Sequence, residues 1–373
     1  MKTFYQNRQE TVRKKMFQCG LRKALVTDPV NILYLTGANI VPYERFMGLL
    51  LDAAEEKSYL VIPAFEKGNS QDENTVEVLY KDHEDALLVL VSFIQGCEKL
   101  GVEKKKVPFF IVERLKELLK QGYPAMVCDL SEVDSLLETM RLYKAIEEIE
   151  KMTTAAQYTG DILGAVKEKL LPGISEQEIK FELFQKIFLE NALMGPASPI
   201  QVSSGVHASM AHGMKGNKKL EIGETVIIDF GVIYQHYRSD ITRTFFVGKP
   251  KPDFEKIYHV VREAQQKAIE IVKPGIAIKE IDLAARMHIE NAGYGEFFTT
   301  RIGHGLGMEI HESPSIHNQN EGIIEEGMVF TIEPGIYVPG LGGVRIEDDI
   351  FVGKEGAMEL TQYPKELVDV VVG

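Results

Sequence analysis

Five side chains in the C-terminal part of the chain, Asp229, Asp240, His304, Glu333 and Glu347, are of the types that bind divalent cations, and the four acids fall into two matched pairs. Asp229 ends the apolar run Thr225-Val226-Ile227-Ile228. Asp240 opens Ile241-Thr242-Arg243-Thr244-Phe245-Phe246, and Tyr234-Gln235 lies midway as the turn of a hairpin. In the second pair, Met328-Val329-Phe330-Thr331-Ile332 leads into Glu333. Arg345-Ile346-Glu347 then leads out toward Ile350-Phe351-Val352, with Pro339-Gly340 at the midpoint, as a turn demands. Residues equidistant from a hairpin turn stand opposite each other on one face, with Cβ atoms about 5 Å apart. Two like charges at that range are unfavourable unless a cation sits between them. Four carboxylates and one imidazole form an oxygen-rich shell for two divalent ions roughly 3.5–4 Å apart, the geometry of a two-metal hydrolase.

The histidines divide by their surroundings. His304 stands in Gly303-His304-Gly305-Leu306-Gly307, where glycines suit close approach of backbone and metal. His311 follows seven residues later in His311-Glu312-Ser313-Pro314, an odd spacing that requires a bulge or bend to bring both rings into one cavity. His212 lies in Ala211-His212-Gly213, on the loop before the first hairpin. His83, His236, His259 and His288 belong to no motif and read as bystanders, with His207 and His317 intermediate.

The elements that must position these residues occur twice. Pro172-Gly173-Ile174 recurs as Pro274-Gly275-Ile276, Glu178-Ile179 as Glu280-Ile281, and Phe246-Val247-Gly248-Lys249 as Phe351-Val352-Gly353-Lys354. Gly223 and Gly327 precede Asp229 and Glu333 by the same interval. The order helix, Pro-Gly-Ile, helix, hairpin thus repeats, which is the signature of an internal duplication with its metals on a pseudo-twofold axis.

Residues 1–138 read as a separate α/β domain. It has an amphipathic helix from Arg8 to Gly20, a strand at Ala24-Leu25-Val26, and a helix around Ile32-Leu33-Tyr34 capped by Asp28-Pro29. A hairpin follows at Gly48–Leu51 and Ser58–Ile62, with helices at His83–Ile94 and Phe110–Leu119 and strands near Val76 and Met126. From Ser131 to about Leu171 the pattern is continuously helical, and residues 139–373 form the catalytic domain.

Composition excludes several classes. A net charge of −13, with acids spread along the chain, argues against nucleic acid or an anionic membrane as partner. The apolar runs are short and broken by charge, and Met1-Lys2-Thr3-Phe4-Tyr5-Gln6 has no apolar core of signal-peptide length, so a cytoplasmic location is expected. Cys19, Cys97 and Cys128 are odd in number and lack CxxC spacing, and read as reduced core thiols.

From about residue 140 onward the chain resembles the metallopeptidases of the pita-bread fold, the group of methionine aminopeptidase, aminopeptidase P and prolidase. The resemblance rests on Ile228-Asp229-Phe230-Gly231, Ser239-Asp240-Ile241-Thr242-Arg243-Thr244, Gly303-His304-Gly305-Leu306-Gly307, His311-Glu312-Ser313-Pro314, Thr331-Ile332-Glu333-Pro334-Gly335 and Val344-Arg345-Ile346-Glu347-Asp348. The N-terminal Asn31-Ile32-Leu33-Tyr34-Leu35-Thr36-Gly37 is similar to prolidases and aminopeptidase P. The implied fold class is α+β: a pita-bread catalytic domain with an internal pseudo-twofold repeat, preceded by a creatinase-type α/β domain.

The resemblance carries the five ligands over to the positions already derived and makes His212 and His311 the two catalytic histidines. It implies two divalent ions per chain, Mn²⁺ ahead of Co²⁺, Zn²⁺ or Fe²⁺, and small proline-containing peptides as substrates, with no nucleic acid or membrane partner and a homodimer as the assembly. The expected reaction is metal-assisted hydrolysis of Xaa-Pro bonds. Metal coordination would bring the pKa of water from about 15.7 to near neutrality, and Glu333 would shuttle the proton. Arg345 would orient Glu347 or a neighbouring acid. A dipeptidase (prolidase) is expected, with aminopeptidase P action on longer peptides as the alternative. A creatinase-like hydrolase or an inactive binding module has less support, since neither needs four mutually repelling acids. Two departures concern the substrate carboxylate: Thr300 stands where many prolidases have histidine, and Ser315 where some have arginine. Thr300, Arg301, Arg345, His317, His207 and Arg45 are the candidate substrate residues, with His317 or Arg45 favoured as the carboxylate anchor.

Overall fold

The structure is a computed structural model that describes residues 4–55, 57–94, 98–122, 129–214 and 216–373. It divides into two compact units, Met1–Met140 and Arg141–Gly373. No helix among the described residues is long and apolar enough to cross a membrane.

The first unit runs α1 (Phe4–Gln18), β1 (Lys23–Val26), α2 (Pro29–Thr36), β2 (Gly48–Asp52), β3 (Ser58–Pro63), β4 (Thr75–Tyr80), α3 (Ala86–Ile94), β5 (Lys99–Val102), α4 (Phe109–Gly122), β6 (Asp129–Glu132) and α5 (Asp134–Leu142). The strands form one mixed sheet in the order β4-β3-β2-β1-β5-β6. Leu90 and Ile94 of α3 and Leu115 and Leu118 of α4 pack with Leu25, Leu50 and Val61 of the sheet. Asp28 caps α2 by accepting from the Asn31 N–H, and Gly37 ends that helix at φ 74°. Cys19 is an exposed free thiol and not a core residue, because it falls in the turn that ends α1. Cys97, Cys128 and the strand expected near Met126 lie outside the described residues.

The second unit holds α6 (Ile146–Lys167), α7 (Glu176–Leu189), β7 (Leu193–Pro196), β8 (Gln201–Ser204), β9 (Thr225–Phe230), β10 (Val232–Tyr234), β11 (Tyr237–Arg238) and β12 (Ile241–Val247). Its second half holds α8 (Pro252–Ile271), α9 (Ile278–Asn291), β13 (Gly303–Gly305), β14 (Glu312–Ile316), β15 (Val329–Ile332), β16 (Gly335–Val338), β17 (Gly342–Arg345), β18 (Asp348–Val352), β19 (Ala357–Glu359), α10 (Leu367–Val370) and β20 (Val371–Val372). Two sheets carry the chemistry, β20-β12-β9-β8 and β14-β13-β15-β18-β19. One continuous core joins them to the helices, with Leu163, Leu183, Val226 and Ile228 from the first half and Ala264, Ile281, Phe330 and Ile332 from the second.

The expected continuous helix from Ser131 to Leu171 is interrupted. β6 occupies its start, and at Tyr143-Lys144-Ala145 the chain leaves helical geometry. There the Lys144 N–H donates to the Gly327 carbonyl at 2.8 Å. A tertiary hydrogen bond has replaced the helical one, which local propensity does not reveal.

The duplication is visible bond by bond. Gly173 N–H donates to the Leu220 carbonyl and Leu220 N–H to Ile174, and in the second copy Gly275 donates to Ile324 and Ile324 to Ile276. Isolated bridges pair Ser175 with Lys219 and Ala277 with Ile323. Gly223 N–H donates to Val247, and Gly327 N–H to Val352. Helix pair, Pro-Gly turn and returning strand are therefore one unit used twice.

Candidate metal centre and active site

The two hairpins present their acids in different registers. In the first, the turn residues are Gln235 and His236, both at positive φ (44° and 71°), a two-residue loop of the type whose twist suits a hairpin. This centres the ladder one residue later than equal spacing of the acids implies, so Asp229 pairs with Thr242 and not with Asp240. Asp240 lies two residues from Thr242, hence on the same face and diagonal to Asp229. In the second hairpin, Ile332 pairs with Asp348, and the same register one residue on places Glu333 opposite Glu347. A bridge between Thr242 and Glu347 joins the two hairpins. Gln201, Asp229, Thr242 and Glu347 thus form one row across the sheet, each paired with the next.

His304 comes from the second sheet, where its position depends on glycine. A Cβ on Gly303 would lie 1.9 Å from the Thr331 carbonyl oxygen, and one on Gly305 2.1 Å from that of Ser313. Only glycine permits those approaches. The β13–β14 register shifts between His304 and Gly305, and this irregularity brings the His304 and His311 rings to 4.3 Å, nearly perpendicular.

Asp240, His304 and Glu347 offer ligand atoms that all lie within 4.8 Å of one another, and all three residues are buried. The His304 Nε2 is 3.2 Å from Glu333 Oε1, and the Thr331 hydroxyl donates to the same oxygen at 3.0 Å. Arg345 Nη2 contacts Asp229 Oδ2 at 2.5 Å. Its Nε donates to Thr242 Oγ1 at 3.1 Å, and Thr242 passes a 2.5 Å hydrogen bond to Glu347 Oε2. Arg345 therefore orients Asp229 directly and Glu347 through a threonine. Its Nη1 also donates to the Tyr337 hydroxyl at 2.7 Å and the Ala211 carbonyl at 2.9 Å.

Electrostatics tests whether these groups suit cations. Burial pushes Asp240 well above the usual carboxylate range, with Asp229 and Asp349 adding to it, and does the same to Glu347 with Asp240 and Glu333 adding. Burial raises Asp229 despite Arg345. Glu333 is lowered: burial opposes this, but the His304 contact and the charge of Arg345 prevail. Asp240 Oδ1 is buried and has no hydrogen-bond partner among the described residues. Acids that resist ionisation through burial and mutual repulsion, with an orphaned oxygen among them, are what divalent cations neutralise. The donor set fits.

Around the centre, His311 is exposed, and partial desolvation together with the charges of His304 and Arg301 pushes its pKa below the ordinary value. His212 acts on the same ring electrostatically and is also exposed. Glu312 beside His311 is gripped by Arg141, by Lys144 at 3.3 Å and by the Glu309 N–H at 3.0 Å. The remaining sequence candidates scatter. His207 is held by Glu176 at 2.9 Å, the Thr300 carbonyl accepts from Arg286 at 2.9 Å, and His317 Nδ1 accepts from the Gln319 N–H. Arg301 donates to the Ser315 hydroxyl at 3.0 Å. Arg45 belongs to the first unit and is engaged by Asp82 and Glu44. Thr242, Thr331, Tyr337 and Gln201 were missed by sequence reasoning. The one available signal was period two, which puts Thr242 on the face of Asp240.

Residues 150–354 match the model of metallopeptidase family M24, and residues 8–143 that of the creatinase/prolidase N-terminal domain. An Xaa-Pro dipeptidase of Pyrococcus horikoshii is 36% identical over 92% of this chain and 93% of its own length. Another, from Pyrococcus furiosus, is 34% identical over 97% and 99%. The crystal structure of a prolidase from Thermococcus sibiricus superposes with a TM-score of 0.91 at 31% identity, covering 100% of both chains. The chain belongs to metallopeptidase family M24, with a pita-bread catalytic domain behind a creatinase/prolidase N-terminal domain.

Proposed function

We propose that this protein is an Xaa-Pro dipeptidase that holds two divalent cations on Asp229, Asp240, His304, Glu333 and Glu347. The observation that carries the metal centre is the buried Asp240, His304 and Glu347 cluster with its unpartnered Asp240 oxygen. The relatives named Xaa-Pro dipeptidase support the substrate class. One nitrogen among many oxygens favours Mn²⁺ over Co²⁺, Zn²⁺ or Fe²⁺. A homodimer, which rests on the family resemblance, and a cytoplasmic setting, which rests on the short apolar runs broken by charge, belong to the same proposal.

Bound cations supply Lewis acidity toward the scissile carbonyl and the attacking water. The chain's own residues do the rest. Glu333 Oε1 accepts from the Thr331 hydroxyl, which leaves Oε2 to take the proton and return it to the departing nitrogen. His311, fixed against the His304 ring, and His212 donate hydrogen bonds to the carbonyl oxygen as its charge develops. Arg345 keeps Asp229 and Glu347 in place.

Arg301 is the residue to bind the dipeptide carboxylate. Arg345 is committed to Asp229, and Arg45 to Asp82 and Glu44, whereas the exposed Arg301 guanidinium rests on the Ser315 hydroxyl and acts on His311. The proposal takes Arg301 in place of His317 or Arg45. The test compares Ala-Pro with its C-terminal amide, in the native chain and in Arg301→Gln. The native chain should prefer the free acid by roughly tenfold to a hundredfold, the worth of a hydrogen bond to a charged group. Arg301→Gln should remove the preference by raising KM for the acid alone. Equal kcat/KM for acid and amide in the native chain would move the assignment to an aminopeptidase acting on longer peptides.

A further inference from the structure

We propose that Gln201 is a positioning residue that fixes the turn carrying His212 against the strands of the metal centre. This rests on the role of His212 given above. Gln201 opens β8 and pairs with Asp229 across the β8–β9 ladder, so its side chain shares a face with that acid. Its Nε2 donates to the Ala211 carbonyl at 3.1 Å and lies 3.3 Å from Ser203 Oγ. Its Oε1 accepts from Arg345 Nη2 at 3.4 Å, while Arg345 Nη1 donates to the same Ala211 carbonyl at 2.9 Å. The carbonyl immediately before His212 is thus held by two donors that are bonded to each other.

The far side of the turn is seated on the same strand. Gly213 has φ 67°, and a Cβ there would lie 2.1 Å from Ser203 Oγ, so the backbone touches β8 directly. The His212 ring makes no hydrogen bond among the described residues, so its placement depends on the carbonyl that precedes it. An amide is the side chain this position needs. A glutamate would keep the acceptor for Arg345, lose the donor to Ala211, and add a charge beside Asp229. Leucine would lose both bonds. Through Arg345, the anchor of the His212 turn and the orientation of two ligand acids form one hydrogen-bonded network.

The experiment compares Gln201→Leu and Gln201→Glu with the native chain by hydrogen exchange of segments spanning residues 205–214, with and without Mn²⁺, and by kinetics on Ala-Pro. Exchange there should quicken about tenfold in both variants, since anchored backbone becomes locally openable. For Gln201→Leu, kcat should fall about tenfold with KM within about twofold, as a displaced donor costs rate more than binding. Bound metal should stay at the native level. In a His212→Ala background, Gln201→Leu should cost less than about twofold more, because the residue it positions is gone. Unchanged exchange in both variants overturns the anchoring, as does a tenfold loss that persists without His212. Faster exchange with a His212→Ala chain of native kcat upholds the anchoring and overturns only the role of His212.

Discussion

Replacing Glu312 by glutamine should destabilise the catalytic unit by about 3–5 kcal/mol at neutral pH, because it takes the carboxylate from the buried Lys144 ammonium and leaves Arg141 with Glu309 but without Glu312. Glu312 sits directly after His311. Its side chain is 7% accessible, against 8% for Arg141 and 1% for Lys144. Lys144 and Arg141 overcome the desolvation and hold its pKa at about 2, below the ordinary 4.5. That displacement is worth about 3 kcal/mol of stability. Since the folded-state value lies below the unfolded one, the contribution is complete above about pH 5 and is lost as pH falls toward 2. About 2 kcal/mol of it should be gone by pH 3. Urea unfolding of native and variant chains at pH 7, 5, 4 and 3 reads this directly, with the transition of the catalytic unit followed separately. The gap between the two chains should narrow by about 2 kcal/mol between pH 7 and 3. A gap of the same size at every pH would show that the Glu312 charge does not hold this corner together.

Asp240→Asn removes one charged ligand from the acid cluster, so metal affinity should fall by well over tenfold, more than the roughly tenfold to hundredfold cost of losing a group that only supports a ligand, as equilibrium dialysis would show. Two tightly bound metals with full activity in that variant would remove Asp240 from the ligand set. His311→Ala should keep metal content and lower kcat by roughly 10²–10³, the cost of losing one donor to a developing oxyanion. If metal is lost instead, and added metal restores kcat, His311 is a ligand.

The four acids proposed as ligands could be read from sequence because each stands at or beside the end of a strand in a hairpin that occurs twice, and His304 because glycines flank it. Their exact apposition could not. The first hairpin turns through Gln235 and His236, and the resulting one-residue offset sets Asp229 against Thr242. Neutral partners were invisible for a related reason. Thr242, Gln201 and Tyr337 carry no charge pattern, and their roles arise only when β8, β12 and β16 meet around Arg345 of β17. The grip of Arg141 and Lys144 on Glu312 joins residues some 170 positions apart. A helical pattern through Lys144 gave no sign of it, because the break there is made by the Gly327 carbonyl. Cys19 was misplaced for a local reason, since it lies one residue past the end of α1.

The central claim is that the Asp240, His304 and Glu347 cluster, with Asp229 and Glu333, binds the cations needed to cleave Xaa-Pro dipeptides. Its most direct test strips the purified chain with a chelator, then titrates Mn²⁺ back while metal content and Ala-Pro hydrolysis are measured on the same samples. Hydrolysis should be absent from the stripped chain and return in step with occupancy up to two metals per chain. Undiminished cleavage by a chain verified to be metal-free, or no cleavage of Ala-Pro at any occupancy, would contradict it.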